Sequence, residues 1–185
     1  MLTTLQTGVY SGRVETFSAP ERPSVPASGE EKPQLDAWLD FLRATLLHKC
    51  DGLSAAQLKE RPVASSRLSL LGIVRHMTFV EQAWFDTTFA GHDPVEHYKS
   101  EGDRDADFND LDSHALEEVM DFYLHELKVS REVSAGHDLS EVGKLPRRGR
   151  AVDLRWIYVH MIEEYARHCG HADLLREMID GTTGY

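Results

Sequence analysis

From Gln34 onward, apolar residues return every three or four positions: Leu35, Trp38, Leu39, Leu42, Thr45, Leu46 and Cys50. One face of an α-helix has that period, and Gly52 is placed to end it in a left-handed turn. The stretch GLSAAQLKERP predicts a short helical turn, capped by the Ser54 hydroxyl and stopped by Pro62. Ser69 then opens a second long helix. Its apolar positions, Leu70, Leu71, Ile73, Val74, Met77, Phe79, Val80, Trp84 and Phe85, run nearly all round, which predicts burial on most sides before Gly91 and Pro94 close it. Ser113 caps a third helix whose stripe, Leu116, Val119, Met120, Tyr123, Leu127 and Val133, ends at Gly136. Asp153 caps a fourth, which runs to Asp180 and terminates at Gly181.

Strand-like alternation of apolar and polar residues is scarce, so the pattern predicts an all-α fold, a four-helix bundle. Residues 92–112 are rich in Asp and Glu and make a long connection between the second and third helices, long enough to cross over between parallel helices. Residues 1–33 carry Pro20, Pro23, Pro26 and Pro33 without a sustained period. They predict an extended arm ahead of a bundle at 34–185.

Composition narrows the partners. With 185 residues the chain fits one domain, and no stretch approaches the roughly 18 unbroken apolar residues that a membrane span needs. A net charge of −11 repels phosphate backbones and anionic membranes, so neither nucleic acid nor a membrane is expected as a partner. The N-terminus has no basic segment followed by an apolar run, which predicts a cytoplasmic protein. Cys50 and Cys169 are too few for a disulfide framework and are expected to be packed thiols. The one basic cluster, Lys144, Arg147, Arg148 and Arg150, reads as a solvated loop, with anion binding as its alternative.

The fourth helix carries the candidate chemistry. At about 100° per residue, and with His160 as zero, Glu164 falls near 40°, His168 near 80° and His171 near 20°, so all four share a narrow arc. Trp156, Ile157, Met161, Leu174, Leu175 and Met178 lie on or beside that arc, which predicts that it faces the core. A carboxylate pointing inward is costly unless it is paired or bound to a cation. A divalent metal would compensate Glu164, and His168 one turn on can reach the same ion. The third ligand must come from another helix, and His76, among the apolar residues of LGIVRHMTFV, is the candidate. His2Glu leaves one position open, as a catalytic zinc site does; nickel and iron also accept such donors. His160 and His171 are read as groups that orient a substrate or carry its proton, each also being a candidate ligand in place of a chosen one.

Three blocks, LDFLRATLLHKCDGLSAAQL, SLLGIVRHM and LRWIYVHMIEEYARHCGHADLLRE, resemble the DinB-like superfamily of metal-binding four-helix bundles, especially its mycothiol-dependent transferase and maleylpyruvate isomerase-like branch. The resemblance covers residues 34–184. It implies metal ligands at His76, Glu164 and His168, with Gly170 as the glycine after the pair. Because the chain ends soon after the fourth helix, it is most similar to the shorter thiol transferases. The resemblance implies mycothiol as co-substrate and a zinc-activated thiol attacking an electrophilic small molecule; separately, a bundle with a long acidic connection and an N-terminal arm suits a homodimer. Two other readings stand beside this one: metal-assisted hydrolysis at the same open position, and a non-catalytic bundle in which these residues hold a metal or hydrogen-bond one another.

Overall fold

The computed structural model describes residues 16–98, 102–103 and 105–184. Among them the fold is an all-α bundle with no strand, only isolated bridges. In chain order the helices are α1 (Glu31–Cys50), α2 (Ala55–Leu58), α3 (Leu70–Glu81), a π-helical segment (Gln82–Phe89), α4 (Ala106–Asn109), α5 (Leu116–Ser134) and α6 (Leu154–Asp180). No described helix is long and apolar enough to cross a membrane. The chain divides into two compact units, one of residues up to Leu71 with Tyr165 onward, the other of Gly72–Glu164; α6 runs unbroken through the boundary.

In the first unit, α1 begins at Glu31, three residues before the predicted start. Pro33 sits in its first turn, where backbone N–H groups have no intrahelical partner and a missing one costs nothing. Residues 16–19 dock beside the helix end: Phe17 is buried, its carbonyl accepts from Gly52 N at 2.8 Å, and Ala19 N donates to Asp51 Oδ1 at 2.7 Å. Residues 1–15 of the predicted arm lie outside the described residues. Ser54 and Gln57 form the capping box of α2, as the serine predicts. Arg176 on α6 closes the C-terminus of α1 by donating to Lys49 O at 3.0 Å and Asp51 O at 2.8 Å, carbonyls left over by the helix ladder. Trp38, expected on the buried stripe, is exposed, while Arg43 and Lys49 are buried. Their carboxylate partners explain it: Arg43 pairs with Asp40 at 3.0 Å and Lys49 with Asp173 at 2.5 Å.

In the second unit, Phe85 of the π segment meets Tyr158 of α6 edge to face at 5.6 Å. The segment departs from the single α-helix that periodicity predicts. Ala90 N reaches back five residues to Phe85 O at 3.0 Å, and the Thr88 hydroxyl likewise to Ala83 O at 2.7 Å. Gly91, at φ +74°, then ends the run. The acidic connection is not simply a solvated loop, because Tyr98, Ala106 and Leu111 are buried within it. Fully buried Arg75 holds it by donating to Ala106 O at 3.1 Å and to Asp110 O, with its guanidinium 4.4 Å from the Tyr98 ring centre. α5 starts at Leu116 and not directly after Ser113, whose hydroxyl instead donates to Asp110 O at 2.9 Å. Asp153 caps α6 as predicted, its Oδ1 accepting from Trp156 N at 2.8 Å.

Gly143 links the 137–153 loop to the π segment by close backbone approach. A Cβ there would stand 2.8 Å from Thr88 O, so Gly143→Ala is expected to destabilise the fold by about 1–3 kcal/mol in denaturant unfolding, the usual range for overpacking. Burial pushes the Cys50 thiol up to about 12. At pH 8 it should therefore resist Ellman's reagent in the native protein and react only on unfolding.

Candidate metal centre

α3 presents two neighbouring residues to one short element. Arg75 binds the backbone of α4 and the residue after it, and His76 Nδ1 lies 2.8 Å from Asp107 Oδ2 in the same helix. Phe108 covers the imidazole, ring centres 5.1 Å apart and planes 30° apart. The ring is thus held by a carboxylate on one nitrogen and an aromatic face on one side. With Nδ1 occupied, Nε2 is the atom that His76 turns to any other partner. This is how metal-binding histidines are commonly held, their outer nitrogen donating to a carboxylate. Asp107 was not singled out from the sequence, where it is one acid among many in the 92–112 connection; only the fold of that connection brings it to α3.

Within the second unit, His76 and Glu164 offer ligand atoms within 4.8 Å of each other. His168 follows Glu164 by one turn of the unbroken α6, the spacing at which two side chains share a helix face. His160, one turn before, sets Nε2 at 3.6 Å from Glu164 Oε1 and Nδ1 at 3.9 Å from Glu163 Oε2, and these three also offer ligand atoms within 4.8 Å. His171 lies beyond His168, their rings edge to face at 5.3 Å. His160 and His171 are therefore at opposite ends of the Glu164–His168 pair. Cys169 is turned away from the arc, its thiol directed at Leu42 O on α1 at 3.6 Å.

The arc lies at the edge of the core: His168 is buried, as are Ile157, Met161 and Leu175 beside it, while the rest of the arc is partly open. Side-chain exposure is 24% at His76, 15% at Glu164 and 23% at His160, and Trp156, Leu174 and Met178 are exposed. Helical period marks the shared face; how deeply that face is covered depends on what packs over it. Partial access is what a reacting centre needs, since small molecules must reach it. The donor set, imidazoles and a carboxylate with one imidazole already oriented by Asp107, fits zinc and its borderline neighbours. The first unit also carries an open recess of about 670 Å³ lined by Arg22, Phe41, His48 and Asp51. Its possible donors, Glu21, His48 and Asp51, do not bring ligand atoms within 4.8 Å of one another.

Fold and donor set together define an all-α protein whose long helices bring together histidine and glutamate side chains that could hold a metal ion. Residues 34–181 match the family model of mycothiol-S-transferase, and the chain belongs to that family, within the DinB-like superfamily. No curated protein matches the chain. Family membership supports a thiol S-transferase-like function with a small thiol as substrate.

The geometry at His76 has a direct spectroscopic consequence. In metal-free protein, nitrogen NMR of His76 should show the Nδ1–H tautomer above the histidine pKa, because that proton bridges to Asp107. Asp107→Ala should abolish the preference, and an unaltered tautomer would mean that the carboxylate does not orient the ring.

Proposed function

We propose that the protein transfers mycothiol to an electrophilic small molecule at a zinc ion held by His76, Glu164 and His168. The observation that carries this reading is the approach of His76, from α3, to Glu164, from α6, within 4.8 Å in a chain of the mycothiol-S-transferase family. Chance i,i+4 pairs on one helix are common; donors converging from segments so distant in sequence are not. Nickel or iron would be held by the same donors.

Zinc bound there supplies the Lewis acidity that lets a thiol ionise near neutral pH. Asp107 keeps the His76 ring in the orientation that presents Nε2. The Glu164 carboxylate offsets cationic charge in a partly desolvated position. His160, with Nε2 3.6 Å from Glu164 Oε1, takes the thiol proton; His171, packed against His168, keeps that ring in place. The sulfur then forms a bond to the electrophilic carbon, and the leaving group departs with its bonding electron pair. Cys169, bonded toward Leu42 O, is not the nucleophile. Removal of reactive electrophiles in a cytoplasmic, thiol-rich compartment is the role that this chemistry suits.

Two measurements test the assignment together. Zinc affinity from chelator competition should fall by about tenfold or more in Asp107→Asn, in line with the loss of a carboxylate behind a metal-bound histidine. Conjugation of mycothiol with monochlorobimane should fall by at least about tenfold in kcat/KM in Glu164→Gln. Wild-type zinc affinity and turnover in both variants would defeat the reading, and ester cleavage without thiol would favour hydrolysis instead.

A further inference from the structure

Aromatic rings crowd the start of α6 in the second unit. Trp84, carried by the π segment, has its ring centre 5.1 Å from Trp156 and 4.6 Å from His160. Trp156 and His160 stack at 4.9 Å with planes 21° apart. The Arg147 guanidinium lies 4.7 Å from the centre of Trp84 and 6.0 Å from that of Phe79. None of this is core packing, since Trp156 is 42% exposed and Phe79 48%. Exposed apolar surface gathered in one place is a mark of ligand-binding surfaces.

Arg147 is the second part of the argument. In a chain with 31 acidic residues, a partly covered arginine would ordinarily take a carboxylate partner. Among the described residues Arg147 takes none: its neighbours are ring faces, and its Nε is buried with no hydrogen-bond partner. Burial, followed by the charge of Arg148, pulls its pKa down. The residue is nevertheless held firmly. Arg147 and Arg150 exchange backbone hydrogen bonds at 3.0 Å, while Lys144 N and Leu145 N donate to Phe89 O and Thr88 O at 3.1 Å. With Lys144, Arg148 and Arg150 nearby in sequence, this loop makes a basic patch on an acidic protein, which attracts anions locally.

We propose that Trp84, Trp156 and Arg147 form the binding platform for the electrophilic substrate, and that this substrate is a planar conjugated molecule bearing a carboxylate. The carboxylate pairs with the Arg147 guanidinium, and the flat body lies against exposed indole. His160 links platform to chemistry: its ring touches both tryptophans, and its Nε2 lies 3.6 Å from Glu164. Assignment of the ligand as the electrophile rests on the proposed thiol transfer. Binding of a planar anion does not.

The test uses the full chain carrying Trp38→Phe, which leaves Trp84 and Trp156 as the emitting tryptophans. Naphthalene-2-carboxylate is titrated in and quenching recorded, without thiol or added metal. Saturable quenching is expected, about tenfold weaker or more for the neutral naphthalene-2-methanol and for Arg147→Met, the loss of one charge-assisted contact. Arg147→Lys, which keeps the charge, should retain the preference for the acid over the alcohol. Equal binding of acid and alcohol, or an Arg147→Met variant that binds as the parent does, would overturn the proposal. So would displacement of the naphthoate by glucosamine at lower concentration, which would make the platform a site for a sugar-bearing thiol. Naphthoate binding with no bimane conjugation would defeat the proposed reaction and leave the platform standing.

Discussion

A buried guanidinium organises the chemistry of this protein. Arg75 cannot be solvated where it lies, so it must be satisfied by the backbone carbonyls of Ala106 and Asp110. That requirement fastens the acidic connection to α3. Once fastened, α4 brings Asp107 to the imidazole next in sequence, His76, and lays Phe108 across it. Adjacent residues on α3 thus do different work: one anchors a loop, and the other is aimed by it.

The same logic explains why the acids of residues 92–112 do not behave alike. Most are solvated and keep a loop soluble. Asp107 instead stands beside His76, and Glu126 of α5, buried, is satisfied by His97 Nε2 at 2.8 Å. Each of these two acids, Asp107 half-buried and Glu126 buried, has an imidazole partner, which offsets its desolvation. Glu164 differs in having two imidazoles near it, His160 before it on α6 and His76 from α3. More than one donor nitrogen around one carboxylate is what a cation site requires and a simple ion pair does not.

The π segment is the second organising feature. A return bond to the fifth residue back shifts the direction of side chains relative to an α-helix, and Trp84 lies within this stretch. Its contacts with Trp156 and His160 join the ring platform to the Glu164 end of the arc. Gly143, whose Cβ would collide with Thr88 O, lets the loop bearing Arg147 close onto this segment.

Much of the fold was legible locally, because local chemistry sets it. Ser54 and Asp153 are caps because their oxygens accept from backbone N–H groups two or three residues on, and Gly52, Gly91, Gly136 and Gly181 end helices because they adopt positive φ. The arc of His160, Glu164, His168 and His171 follows from helical period alone. Tertiary structure decided what local rules cannot reach. It exposed Trp38 and Trp156, buried Arg43, Lys49 and Arg75 against specific partners, moved the start of α5 past Ser113, and turned an apparently uniform helix into a π segment. It also chose Asp107 from a run of equivalent acids and left Arg147 among rings. These outcomes depend on which group lies opposite which, and burial energy is a property of both sides of a contact, whereas a sequence displays only one side at a time.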